Sequence, residues 1–213
     1  LAKLAAKVMA GKTLEELGFS TEVYPKHVSV KESVFPFVKF PGVDIILSPE
    51  MRSTGEVMGI DSDFARAFYK SQDAALSHLP QSGCVFISVN KFDKQKVVPV
   101  ARKFHEMGYS LVSTDGTAKV IIENGIPCDI VKKIAEGRPN ITDLIKNNQV
   151  QLVVNTPSGK GPALDEAKIR SLAVSYRIPC ITTISAAQAA AKGLEAVRGH
   201  GLEVKTIQEY HAV

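Results

Sequence analysis

The sequence predicts an α/β protein: a five-stranded, mainly parallel sheet with helices on both faces over residues 84–213, preceded by an irregular α+β segment over residues 1–80. Three observations predict it. Short runs rich in Val and Ile recur at 84–89, 109–113, 129–134, 150–155 and 180–183. Helical segments lie between them, so each strand is followed by a crossover and returns parallel. The runs are apolar on both faces, as a sheet covered on both sides requires.

The elements follow in chain order. Leu1, Leu4, Ala5 and Val8 keep helical spacing, and Gly11 ends that helix as a C′ glycine. The chain starts without methionine and without a cap, which is expected of the tail or a fragment of a longer polypeptide. Thr13-Leu14-Glu15-Glu16 is a capping box opening a helical turn. Residues 28–37 alternate partly and read as a strand, with Pro36 marking an edge or bend. Phe40-Pro41-Gly42-Val43 is turn chemistry, 45–47 a short apolar run, and 48–59 a polar loop containing Pro49, Gly55 and Gly59. Asp61 is expected to cap a helix reaching about Leu79, with Phe64, Ala67, Phe68 and Ala75 on one face. Pro80-Gln81-Ser82-Gly83 has linker composition.

In the regular part, the clearest helix spans 93–107, with Val97, Val100, Ala101 and Phe104 on one face and Gly108 closing it. Further helices are predicted at 117–124, 141–148, 164–176 and 185–197, an added edge strand at 202–204, and a closing helical turn at 206–210.

Composition narrows the function. The 213 residues suit one or two domains, and 45% hydrophobic with 23% charged residues is ordinary for a globular protein. No stretch approaches the roughly 18 apolar residues that span a bilayer. The net charge of +4 is spread along the chain. It fits an anionic small ligand, and no basic stripe with interleaved aromatics points to nucleic acid. Cys84, Cys128 and Cys180 lack metal-ligand spacing and are odd in number. Unpaired core thiols and no visible signal peptide lead to an expected location in the cytoplasm or a reducing organelle.

Ligands of open parallel sheets bind beyond the carboxyl ends of the strands. Those positions hold Asn90, Lys91 and Lys94; Ser113-Thr114-Asp115-Gly116-Thr117; Lys132, Lys133, Glu136, Gly137 and Arg138; Asn155 and the loop after it; and Thr182, Thr183 and Ser185. Hydroxyls, amides, glycines and cations dominate, all of which serve phosphate oxygens. Residues 114–117 also open a helix, whose free N–H groups favour an anion. Ser158-Gly159-Lys160-Gly161 is glycine-rich but is not a Walker loop, because Val154 and Gly161 break the pattern. The five histidines share neither a helical face nor metal spacing, and no nucleophile, base and orienter fall in one neighbourhood.

Several motifs then carry a resemblance. Ser29-Val30-Lys31-Glu32, Lys39-Phe40-Pro41-Gly42-Val43-Asp44 and Pro49-Glu50-Met51-Arg52-Ser53-Thr54-Gly55-Glu56-Val57-Met58-Gly59 closely resemble the large subunit of carbamoyl phosphate synthetase. Glu136-Gly137-Arg138-Pro139 and Asn155-Thr156-Pro157-Ser158-Gly159 match its C-terminal regulatory domain, nearly collinearly over the whole chain. The resemblance implies that residues 1–80 are the end of the second ATP-grasp synthetase unit. It implies that residues 84–213 are the methylglyoxal-synthase-like allosteric domain, which in the family binds UMP as inhibitor and IMP as activator.

Lys94, Thr114, Thr117, Lys133 and Asn155 fall on the family's effector-contacting positions. Pro157 stands where some members place another donor. Some members also bind ornithine; Glu32 and Thr182 match two of its ligands, as a possible second effector site, and Cys180 replaces a tyrosine there. The full-length enzyme uses ATP with Mg²⁺ or Mn²⁺. It works with a glutaminase small subunit and feeds pyrimidine and arginine synthesis.

The residues that grip ATP and metal lie upstream in the family. This fragment is therefore expected to be non-catalytic and to hold no cofactor. The alternative is a free-standing methylglyoxal-synthase-like lyase. That enzyme needs a Gly-Gly-Asp base where this chain has Glu136-Gly137-Arg138-Pro139-Asn140. Assembly into oligomers through the C-terminal domain is expected from residues 186–191, read as an exposed apolar face. No nucleic-acid or membrane partner is expected.

Overall fold

The computed structural model describes residues 1–34, 55–157, 164–199 and 201–211. The turn at 40–43, the run at 45–47 and the glycine-rich loop at 158–161 lie outside the described residues. The chain divides into two compact units, Leu1–His27 with Lys205–Val213, and Val28–Val204. The expected boundary between residues 1–80 and 84–213 is one of descent, which compactness does not test.

In the smaller unit, α1 (Ala2–Met9) has the predicted apolar spacing, and Gly11 after it sits at φ 94°. The capping box forms: Thr13 N–H donates to Glu16 Oε2 at 3.0 Å and Glu16 N–H to Thr13 Oγ1 at 3.1 Å. The last helix, α8 (Ile207–His211), is close to the predicted closing turn. The His27 ring meets Tyr210 and His211 edge-on, at centroid distances of 5.6 and 5.0 Å.

The larger unit begins with β1 (Val28–Val34), antiparallel to β2 (Gly55–Asp61). The sequence reads 48–59 as a loop, and from residue 55 on β2 corrects that: Gly55, Glu56 and Gly59 are poor strand formers, but pairing with β1 and packing on the next helix override propensity. That helix, α2, runs Phe64–Ala74. Its cap is Asp63, accepting from Arg66 N–H at 3.0 Å, and not Asp61, which ends β2 and pairs with Lys70 at 2.7 Å. Residues 80–83 form no regular element, yet they are pinned. Tyr109 O–H donates to Pro80 O, Arg198 Nη2 to Gln81 O at 3.1 Å, and Gln81 Nε2 to the Tyr69 hydroxyl at 2.8 Å.

Then come β3 (Cys84–Ser88), α3 (Val98–Glu106), β4 (Ser110–Thr114), α4 (Asp115–Glu123), β5 (Asp129–Val131), α5 (Ile141–Lys146), β6 (Leu152–Asn155), α6 (Leu164–Ser175), β7 (Cys180–Ile181) and α7 (Ile184–Val197). The sheet is fully parallel, ordered β5-β4-β3-β6-β7. All five predicted strands and the helices between them are present. The edge strand expected at 202–204 is absent, and residues 201–206 form no regular element.

Side chains alternate across the central strands and build a core on each face. Val85, Ile87, Leu152 and Val154 join Val97, Ala101 and Phe104 of the α3 side and Ala190 and Leu194 of α7. Phe86, Val112 and Val153 turn the other way, onto Ile141 and Ile145 of α5 and Ile169 and Ala173 of α6.

The run at 186–191 is not an exposed face. Ala187, Ala189, Ala190 and Ala191 are buried. Two residues on, a Cβ added at Gly193 would lie 3.1 Å from Ala65 O and 3.3 Å from Tyr69 Cβ, so α2 packs closely on α7. The small residues serve that approach, which removes the apolar surface on which oligomer formation was expected. Among the described residues no helix is long and apolar enough to cross a membrane.

Candidate effector site at the carboxyl edge of the sheet

The chain leaves β3 toward β4 on one side, and later returns to place β6 on the other. The strand order therefore switches direction between β3 and β6, the position where open α/β sheets bind ligands. Ser88 and Asn155 stand opposite each other at this switch point. Asn155 Nδ2 donates to Ser88 O at 3.0 Å, and Ser88 Oγ lies 3.3 Å from Thr114 Oγ1 at the end of β4.

From β4 the chain turns directly into α4. Thr114 is the N-cap but its side chain makes no capping hydrogen bond, whereas Asp63, Asn140 and Thr183 cap α2, α5 and α7. The first-turn N–H groups of α4 therefore lack the acceptor a cap would give, and the helix dipole adds partial positive charge there.

Lys94 reaches the same turn. Its ammonium donates to Gly116 O at 2.7 Å. A Cβ at residue 116 would sit 2.7 Å from Lys94 Nζ, so glycine is what lets the cation close on the helix start. Thr117 Oγ1 accepts the N–H of Val89, just beyond β3, at 3.4 Å. Lys94, Thr114, Thr117 and Asn155 thus meet through hydrogen bonds that cross β3, β4 and β6.

Three of them differ from the simple picture of freely exposed donors. Thr114, Thr117 and Asn155 are 8%, 2% and 1% exposed, and all three carry protein partners. They build the floor of the edge, while Lys94 and the start of α4 supply its charge.

Lys133 follows β5, whose Val131 stands opposite Thr114. Its ammonium is exposed and 3.7 Å from Glu136 Oε1, a contact worth little in water. Glu136 is held by the Lys133 backbone N–H at 2.9 Å. The neighbouring cation Arg138 is engaged, donating from Nε to Asp143 Oδ1 at 2.9 Å. The Arg138 hydrogen bond and the Asn140 N–H hold the Asp143 carboxyl below the ordinary carboxylate range. Glu136 and Asp143 are thus both hydrogen-bonded within their own loop.

The two residues of the possible second effector site sit in different settings. Glu32, half-buried on β1, accepts from Gln72 Nε2 of α2 at 2.8 Å. Burial pushes its carboxyl up, against the lowering effect of that bond. Thr182 lines a cleft of about 630 Å³ beyond the ends of β3, β6 and β7, together with Asn90, Asp93, Lys96 and Thr156. Asn90 organises one wall, donating from Nδ2 to Asp93 at 2.7 Å and to Thr156 Oγ1 at 3.0 Å.

The three cysteines are free and half-buried. Burial, then the charges of Asp129 and Cys84, push the Cys128 thiol up to about 12, far from a nucleophile's range. Among the described residues no group of three or more His, Cys, Asp or Glu could hold a metal ion.

Sequence reasoning missed Arg170, the largest fully buried side chain among the described residues, whose Nη1 donates to Asn155 Oδ1 at 2.9 Å. The available signal was a cation on the buried face of α6, beside Ile169 and Ala173, with Glu166 one turn before it.

The MGS-like domain family model matches residues 96–182. The carbamoyl phosphate synthase large chain of Nostoc sp. is 52% identical over 210 residues, which covers 99% of this chain and 19% of the relative. That of Archaeoglobus fulgidus is 53% identical over 212 residues, covering 99% and 20%. A crystal structure of methylglyoxal synthase from Elizabethkingia anophelis NUHP1 is 18% identical with a TM-score of 0.44, covering 53% of this chain and 79% of that one. Over nearly its whole length, this chain is homologous to a part of the carbamoyl phosphate synthase large chain, spanning about a fifth of those relatives.

Proposed function

We propose that this chain is the regulatory part of a carbamoyl phosphate synthase large chain and binds a nucleoside monophosphate such as UMP or IMP at the carboxyl edge of its parallel sheet. In this reading residues 84–213 are the allosteric domain and residues 1–80 the end of the second ATP-grasp unit. The complete cytoplasmic enzyme, with its glutaminase subunit, ATP and Mg²⁺ or Mn²⁺, makes carbamoyl phosphate from bicarbonate and glutamine-derived ammonia. This chain contributes control and not turnover.

One observation carries the reading: Lys94 closes on Gly116 at the uncapped start of α4, so a cation and unfilled N–H donors converge where an α/β sheet takes its ligand. A phosphate bound there replaces water around the ammonium and the first turn without disturbing the buried floor. Lys133, exposed two residues beyond Val131 of the neighbouring strand β5, adds a second cation to this edge.

Calorimetric titration of UMP or IMP into the chain should show one saturable site. Lys133→Ala should weaken binding by about 1.5–3 kcal/mol, the range for hydrogen bonds to charged groups. Its surface position makes a change in folding stability above about 0.5 kcal/mol unexpected. Unaltered affinity in this variant would place the phosphate elsewhere.

A further inference from the structure

Arg170 and Asn155 are each 1% exposed, and their contact fixes something the site would otherwise leave open. An asparagine amide can turn over, exchanging its oxygen and its NH₂. Here its partners allow one orientation. A guanidinium only donates, so Arg170 Nη1 at 2.9 Å requires Oδ1. A carbonyl only accepts, so Ser88 O at 3.0 Å requires Nδ2. The second Nδ2 hydrogen has no protein acceptor among the described residues.

A buried guanidinium carries a desolvation cost, and Glu166, 3.9 Å away, supplies its counter-charge. Orientation of a polar group is one use that retains such a charge.

Building on the effector reading above, we propose that Arg170 is a positioning residue of the effector site. It locks the Asn155 amide so that an N–H, and never the oxygen, is offered at the switch point between β3 and β6. The site thereby selects a ligand with an acceptor oxygen at this position, such as a ribose hydroxyl or a phosphate oxygen. Arg170 acts on the ligand through Asn155 and does not touch it.

The test is a thermodynamic cycle on UMP and IMP affinity in the full chain, with thermal unfolding followed in parallel. Arg170→Gln, whose amide can donate or accept, and Asn155→Ala should each weaken binding about tenfold. The double variant should bind no more weakly than Asn155→Ala alone, because the first residue works through the second. Asn155→Asp keeps an acceptor for Arg170 but loses the donor; it should lose binding as Asn155→Ala does, without depending on whether Arg170→Gln folds. Arg170→Lys, which retains a charged donor, should recover most of the affinity.

Additive losses in the double variant, or full affinity in Asn155→Asp, would overturn the proposal while leaving the effector site standing. If the unaltered chain binds neither nucleotide, the functional reading fails first and this role falls with it.

Discussion

Replacing Lys70 with methionine is expected to lower stability by about 3–5 kcal/mol at neutral pH, the cost of stranding a buried charge. Lys70 lies on α2, and its ammonium meets Asp61 Oδ2 at 2.7 Å, Ile60 O at 3.0 Å and Glu203 O at 2.6 Å. It therefore ties the end of β2 and the segment after α7 to one helix. Asp61 is 4% exposed. Burial alone would raise its carboxyl, but the hydrogen bond from Lys70, those from Ser62 and the Lys70 charge outweigh burial and hold it below the ordinary range.

The pH dependence follows from that direction. With a folded value below the unfolded one of about 3.9, Asp61 stabilises the native chain above pH ~4, and this contribution disappears as pH falls through the lower folded value. Without Lys70 the buried carboxyl is raised instead. Protonation then relieves the penalty, and the gap between variant and parent should narrow on acidification. Denaturant unfolding from neutral pH to well below pH ~4 measures both effects. Lys31→Met breaks an ion pair of similar length, 2.9 Å to Glu56, with both side chains more than half exposed. It should cost no more than about 1 kcal/mol. Equal losses in the two variants would show that Asp61 is not buried as described.

Gly59→Ala should cost about 3 kcal/mol, the upper part of the range for overpacking, because what blocks the new methyl is backbone. A Cβ at 59 would stand 2.0 Å from Ala67 O and 2.5 Å from Ser71 N, both on α2. Neither atom can rotate away, so β2 must lift from the helix it rests on. Gly193→Ala is the internal comparison: its Cβ would meet Ala65 O at 3.1 Å and Tyr69 Cβ at 3.3 Å, contacts that a few tenths of an ångström relieve. It should cost about 1 kcal/mol, at the lower end of that range. Unfolding midpoints that rank the two the other way would contradict the packing of β2 on α2.

The parallel sheet was legible because its signal is local: Val and Ile runs separated by amphipathic stretches of crossover length. What escaped depended on contacts distant in sequence. Gly55 and Gly59 looked like loop residues, yet Gly59 is glycine because α2 passes against it. Asp61 resembled a cap, but the true cap stands two residues later and Asp61 answers Lys70. Residues 186–191 looked like open apolar surface, and small side chains there instead admit a neighbouring helix.

At the candidate site, the strand-end rule found Lys94, Thr114, Thr117 and Asn155. It did not reveal that the threonines and the asparagine form the floor, nor that Arg170 stands behind Asn155. Burial of a cation is decided by tertiary packing, and only the pairing of Glu166 with Arg170 at helical spacing hinted at it.

The most direct measurement follows backbone and side-chain amide resonances of the chain while UMP or IMP is added. Selective shifts at Asp115, Gly116 and Thr117, with the second Nδ2 hydrogen of Asn155 moving in step, are the expected result. Saturable binding whose shifts cluster around Thr182 in the cleft it lines, or no shifts at all, would contradict an anion held at the start of α4.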